Sequence, residues 1–217
     1  MENIKELINS FNKEDYWETV NLHTHSTYSD GKSTPEELVK QAKKSGIKHL
    51  AIADHNTLNA YKETSIKDEN IIIPAIEFDS WYGYVFLHLL GYGIDTNSKE
   101  IEKFCAKTKK GTEADIVRIF SFNKHPKKLI EAIHKAGGIA VLAHPACCWA
   151  LSLDRLVKNL KNLGLDGIEC YYPYNRHRGI IKFHKNSTAE YLAETYNLIK
   201  TGGTDEHGIL TAKKYSN

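Results

Sequence analysis

Residues 19–55, TVNLHTHSTYSDGKSTPEELVKQAKKSGIKHLAIADH, read as one strand–helix–strand unit. The ends, TVNLHTH at 19–25 and HLAIADH at 49–55, are short apolar runs of strand length. Between them Ser33 or Thr34 can cap a helix, Pro35 suits its first turn, Glu36 and Glu37 favour its positive end, and Gly46 follows it. Leu38, Val39 and Ala42 form the stripe that this helix buries. Two strands joined by a crossover helix pair in parallel, so the unit predicts a parallel α/β fold.

The alternation continues outward. Further strands are expected at IIIPAIEFD (71–79), YVFLHLLGY (84–92), IAVLAHP (139–145), DGIECYY (166–172) and NLIKTGGTD (197–205), and seven strands are enough to close a barrel. Helices are expected near 59–66, 98–109, 126–136, 152–163 and 187–196. The segment 106–125 carries no clear pattern. Ile4, Leu7, Ile8 and Phe11 give the N-terminus a short amphipathic helix that packs on the barrel. No repeat or linker divides the chain, so residues 1–217 read as a single domain.

Composition narrows the class. With 41% hydrophobic residues the chain can bury a substantial core, and 29 Lys+Arg against 27 Asp+Glu leave a net charge of only +2. Charge alone therefore does not point to nucleic acid, and a phosphate preference must come from a local site. The apolar runs fall far short of the roughly 20 residues a membrane helix needs, and the N-terminus lacks the apolar core of a secretory signal, so a cytoplasmic protein with no membrane partner is expected. Cys105, Cys147, Cys148 and Cys170 show no CxxC spacing and read as reduced thiols.

The eleven histidines are the informative excess. His23 and His25 stand at i and i+2 on one strand, where alternation sends both imidazoles to the same side. His55 closes the second strand, Glu77 and Asp79 end the third, His88 lies on the fourth, His144 ends the fifth, and Asp205 with His207 follow the seventh; Asp30 sits in the turn after the first HxH. A lone strand histidine is ordinarily packing. Together, though, most of these residues fall at predicted strand ends, the face where parallel barrels gather their active sites. Imidazole and carboxylate without thiolate suit Zn²⁺, Mn²⁺ or Fe²⁺. Asp54, on the opposite side of the strand from His55, reads as a support for neighbouring groups, and Asp79 either orients an imidazole or faces solvent. The many tyrosines near strand ends read as packing.

NLHTHSTYSDG, TPEELVKQAKKSGIKHLAIADHNT, IIIPAIEFD, FLHLLGYGI, IAVLAHP, GIECYYPYN and GGTDEHG, in that order, resemble the motifs of the PHP (polymerase and histidinol phosphatase) family across nearly the whole chain. The resemblance implies a distorted (β/α)7 barrel with two or three divalent ions at the strand C-termini. It assigns His23, His25, Glu77 and Asp205 to one site, Glu77, His88 and His144 to a second, and Asp30, His55 and His207 to a third, with Glu77 bridging. The Arg-Pro-His stretch of many relatives is replaced by RIFSFNKHPKK, so Arg118 and His125 inherit no role. Where relatives read YYPSH, this chain reads YYPYNRHRG, in which Arg176, His177 and Arg178 are candidates for holding a substrate phosphate.

Such a centre predicts hydrolysis of a phosphate ester by a hydroxide held between two ions, with Asp205, His207 or a bound water protonating the leaving alkoxide. The substrate expected first is a small phosphomonoester, nucleotide-like or histidinol-phosphate-like. The alternatives are an exonuclease-type phosphodiesterase on short RNA or DNA, nucleic acid then entering only as substrate, or a metal-holding regulatory module without turnover.

Overall fold

The structure, a computed structural model, describes residues 3–120, 124–173, 184–185 and 187–208. Two short N-terminal helices, α1 (Ile4–Ser10) and α2 (Lys13–Glu18), precede β1 (Val20–Thr24), α3 (Pro35–Lys44) and β2 (His49–Ile52), the unit read from residues 19–55. The Thr34 side chain caps α3 by accepting from the Glu37 N–H, and the Glu37 carboxylate accepts from the Thr34 N–H in return. Leu38, Val39 and Ala42 are buried as the stripe predicts.

The remainder follows as α4 (Asn59–Glu63), β3 (Ala75–Tyr82), β4 (Val85–Tyr92), α5 (Lys99–Glu102), α6 (Lys110–Glu113), α7 (Asp115–Ile119), α8 (Pro126–Lys135), β5 (Ile139–Leu142), α9 (Leu153–Asn162), β6 (Gly167–Tyr171), α10 (Thr188–Thr195) and β7 (Ile199–Gly202). Strands β1 and β2 form one parallel sheet, and β3 to β7 form a five-stranded sheet in sequence order. Backbone hydrogen bonds join the two on both sides. Leu50 accepts from Ile73 at 2.9 Å and Asn56 donates to Glu77 at 2.8 Å on one side; Asp205 donates to the His23 carbonyl at 2.8 Å and His25 to Glu206 at 3.0 Å on the other.

The all-parallel expectation fails at β4, which runs antiparallel to both β3 and β5. Gly83, at φ 60°, sits in a two-residue turn between Tyr82 and Val85, which face each other across the hairpin. A positive φ at that position is what glycine permits, and the tight turn leaves no room for a crossover helix. His88 consequently sits opposite Asp79 within the hairpin and not at a strand's carboxyl end. Strand three also starts later than expected, after Pro74, and the helix expected over 98–109 is confined to Lys99–Glu102.

The unplaced segment 106–125 contributes α6 and α7, held to β3 where the Trp81 indole N–H donates to the Ile119 carbonyl at 2.6 Å. Helices α8 and α9 bury Leu129, Ile130 and Ile133, and Leu153, Leu156, Val157 and Leu160, against the strands. Among the described residues no helix is long and apolar enough to cross a membrane. None of the four cysteines forms a disulfide.

Candidate metal centre

Glu77, on β3 and fully buried, is the hub. Its Oε2 lies 3.3 Å from His23 Nε2, 3.3 Å from His25 Nε2 and 3.2 Å from His55 Nδ1. Its Oε1 lies 3.0 Å from His88 Nδ1 and 3.2 Å from His144 Nε2. Asp205 adds an oxygen 3.0 Å from His25 Nε2 and 3.4 Å from His23 Nε2. On the far side of His25, Asp30 Oδ1 is 3.2 Å from His207 Nε2, and Asp30 Oδ2 is 3.6 Å from His55 Nε2. The nine residues singled out in the sequence thus meet in one connected cluster, whose donor atoms fall into overlapping groups: His23, His25, Glu77 and Asp205; Glu77, His88 and His144; and His25, Asp30, His55 and His207.

Local structure explains the convergence. Alternation along β1 and into the residue that follows it turns both His23 and His25 inward, and the β3–β4 register sets His88 beside Asp79 on the face that carries Glu77. The chain turns at His144 (φ 26°) and Asp205 (φ 49°), backbone conformations that L-residues adopt rarely and that concentrate at functional sites. Asp54 accepts from the Ser26 N–H at 2.7 Å, the Ser26 hydroxyl at 2.6 Å and the Ser29 hydroxyl at 2.7 Å, and so fixes the turn that delivers Asp30.

Further residues join the nine, and of these only Asp79 was offered by the sequence, as a group that orients an imidazole or faces solvent. Asp79, almost fully buried, lies 3.1 Å from His88 Nε2 and forms a further group with His55 and His88. Glu169 on β6, fully buried, contacts His23 Nδ1 at 2.9 Å and accepts from the His144 N–H at 2.8 Å. Tyr172, read as packing, donates to Asp205 at 2.7 Å. Arg118, which inherited no role, reaches Asp30 at 2.7 Å from α7 and lies 3.5 Å from Asp79. The one signal that could have found Glu169 is a carboxylate in the middle of an apolar strand, since a buried charge needs partners. Arg176, His177 and Arg178 lie outside the described residues.

The donor set fits divalent ions on its own evidence. Glu77 Oε2, Asp79 Oδ1, His55 Nδ1 and His88 Nε2 are buried with no hydrogen-bond partner, although each faces a potential ligand atom of its neighbours. Such atoms are costly to bury unless something bridges them, and a cation between imidazoles and carboxylates does so.

Electrostatics of the metal-free cluster follow from the same packing. Burial opposes charge on His25 and His88, but the Asp205 and Glu77 carboxylates raise His25 to about 9, and Glu77 and Asp79 raise His88 to about 10. Burial wins at His55, which drops to about 3. Against their own burial, Glu77 and Asp205 are held well below the usual carboxylate range by the surrounding imidazoles. Groups raised above 6.5 contribute stability that is complete below that pH and is lost as pH passes 9 to 10, while lowered carboxylates contribute stability lost as pH falls below about 4. His55, lowered to about 3, must stay neutral in the fold and so costs stability as pH falls below 6.5; thermal melts of the metal-free protein should therefore peak near pH 6, falling on the acid side and steadily toward pH 10. Added Zn²⁺ should reverse the alkaline loss, because deprotonated imidazole is the form that binds metal. A metal-free melting temperature unchanged from pH 7 to 10 would contradict this charge distribution.

The PHP domain model matches residues 21–200. The chain belongs to the PHP family. Its class follows from that membership: it is a metal-dependent phosphoesterase. It is 24% identical to a phosphoribosyl 1,2-cyclic phosphate 1,2-diphosphodiesterase of Eggerthella lenta, over 86% of this chain and 93% of that one. It is 30% identical to an uncharacterised protein of Methanocaldococcus jannaschii over 71% of this chain and 82% of its relative. A local match, 34% identical, covers 34% of this chain and 28% of a 5'-3' exoribonuclease of Haemophilus influenzae. Among solved structures, one assigned as a metal-dependent phosphoesterase from Bifidobacterium adolescentis superposes with a TM-score of 0.70 at 21% identity, covering 92% of each chain, and shares the fold.

Proposed function

We propose that the protein hydrolyses a small nucleotide-like or ribose-like phosphate ester at a centre of two or three divalent ions, Zn²⁺, Mn²⁺ or Fe²⁺. The observation that carries this reading is Glu77, whose two oxygens lie 3.0–3.3 Å from nitrogens of five imidazoles drawn from β1, β4 and the ends of β2 and β5. His23, His25, Glu77 and Asp205 would hold one ion, Glu77, His88 and His144 the next, and Asp30, His55 and His207 the third. The bound ions would supply Lewis-acid activation of water and neutralisation of phosphate oxygens. The hydrogen bonds that join the two sheets on both sides support a distorted (β/α)7 barrel with this centre at its C-terminal face, in a single domain spanning 1–217.

The chain's own groups complete the chemistry. Arg118, beside Asp30, would bring a guanidinium to the edge of the third group, where it could pair with phosphate oxygens. His207 is the most exposed of the six imidazoles in the cluster, about a third accessible at its side chain, and with Asp205 it would pass a proton to the leaving alkoxide. Arg176, His177 and Arg178 remain candidates for gripping the distal part of the substrate. A net charge of +2 favours a small substrate over a long polyanion.

A monoester is the first form of this reading. The second is a phosphodiester, favoured by the Eggerthella relative, whose printed activity opens a cyclic phosphate and which matches nearly end to end. Protein loaded separately with Mn²⁺, Zn²⁺ and Fe²⁺ is expected to release nitrophenol from p-nitrophenyl phosphate, and the His23→Ala, His25→Ala double variant to lose at least about a thousandfold in rate, the equivalent of roughly 4 kcal/mol. Faster release from the bis-ester would select the phosphodiester reading. Metal-loaded protein that cleaves neither ester nor small cyclic phosphates would overturn the proposal.

A further inference from the structure

Glu169 belongs to none of the donor groups, yet it touches residues of two of them. Its position on β6, opposite Thr201 of β7, turns the carboxylate inward, where it is fully buried. Oε1 sits 2.9 Å from His23 Nδ1, and Oε2 accepts the His144 backbone N–H at 2.8 Å. The His23 and His144 rings stack with centroids 5.8 Å apart and planes 20° apart. We propose that Glu169 is a positioning residue that locks His23 and His144 together, one imidazole from each of the two donor groups that share Glu77.

The two contacts have different effects. At His23 the carboxylate accepts the Nδ1 proton, which leaves the Nε2 lone pair aimed at Glu77 and Asp205, 3.3 and 3.4 Å away. At His144 it acts on the backbone: this residue adopts φ 26°, ψ 57°, a conformation that needs support from its surroundings. The bond to its N–H supplies that support while the ring Nε2 reaches Glu77 Oε1 at 3.2 Å. One rigid carboxylate thus sets the spacing of two imidazoles delivered by different strands, and with it the separation of the two ions that Glu77 would bridge.

A glutamine cannot do both. If its carbonyl accepts from the His144 N–H, its amide N–H₂ faces His23 Nδ1, and His23 must carry its proton on Nε2, where it no longer binds metal. If the amide is flipped, the His144 N–H is left facing another donor.

This inference rests on the metal-centre reading above, and its test is read without turnover. Zn²⁺ affinity is measured by competition with a chromophoric chelator, alongside melting of the metal-free protein. Glu169→Gln should bind its two tightest ions 10- to 100-fold more weakly, with metal-free melting within a few degrees of wild type. A variant that binds Zn²⁺ as tightly as wild type overturns the inference and leaves the phosphoesterase reading intact. Should Glu169→Gln fail to fold, the shorter Glu169→Asp, which keeps the charge but spans only one contact, is measured in the same way; unchanged affinity there overturns it equally. Wild-type protein that binds no Zn²⁺ overturns both readings.

Discussion

Glu77→Gln is expected to lower kcat/KM by at least about three orders of magnitude, roughly 4 kcal/mol of lost transition-state stabilisation, and to remove at least one bound ion per chain. The substitution is nearly isosteric, so packing is not the cause. Both carboxylate oxygens are in use, Oε2 toward His23, His25 and His55 and Oε1 toward His88 and His144. Glutamine keeps one acceptor and replaces the other with a donor, which faces imidazole nitrogens that must themselves donate electron pairs to a metal. It also removes a negative charge from the centre of a cluster whose His25 and His88 are raised to about 9 and about 10 by the neighbouring carboxylates, Glu77 among them. The metal-free variant should therefore also melt below wild type at pH 7, because buried imidazolium groups lose their partner. Elemental analysis of the purified variant and steady-state kinetics with the same metal check the two halves separately. Full metal content together with a rate within tenfold of wild type would show that Glu77 is not the hub.

The parts of this arrangement legible in the sequence were those governed by local rules. Period-two alternation alone puts His23 and His25 on one side of β1, and the capping pattern around Thr34 and Pro35 fixes α3. The succession of strands along the chain followed from the alternation of apolar runs and helices. The direction of β4 did not, because an apolar run reads the same either way; only the short gap between Tyr82 and Val85, with Gly83 inside it, distinguishes a hairpin from a crossover. Glu169 and Arg118 were out of reach for a different reason. Each acts on residues more than eighty positions away, His23 and Asp30, and no local pattern records such a contact. Asp79 stood between these cases: its face was readable, but its burial depends on α7, which the sequence left unplaced.

The pair Gly202–Gly203 shows that a glycine can be required by a close approach and not by a turn. In the sequence, two glycines before Asp205 suggest a pliable turn. In the structure Gly203 is where the end of β7 presses against β1: a Cβ added there would lie 2.3 Å from His23 Cβ and 2.4 Å from its backbone nitrogen. Those atoms belong to the strand that carries the HxH pair, and two residues later Asp205 N–H donates to the His23 carbonyl at 2.8 Å. Neither backbone can withdraw without breaking the hydrogen bonds that join the two sheets on this side. Gly203→Ala is accordingly expected to destabilise the protein by about 2–4 kcal/mol, lowering the melting temperature by roughly 5–15 °C, and to weaken metal binding at the His23 and Asp205 group. Gly137→Ala supplies the contrast. Its φ of 82° strains an alanine but nothing lies within 4 Å of the added carbon, so it should cost only about 1 kcal/mol and leave metal affinity untouched. If the two alanine variants melt together and bind Zn²⁺ alike, the close approach of β7 to β1 is not what holds Asp205 against the histidine pair.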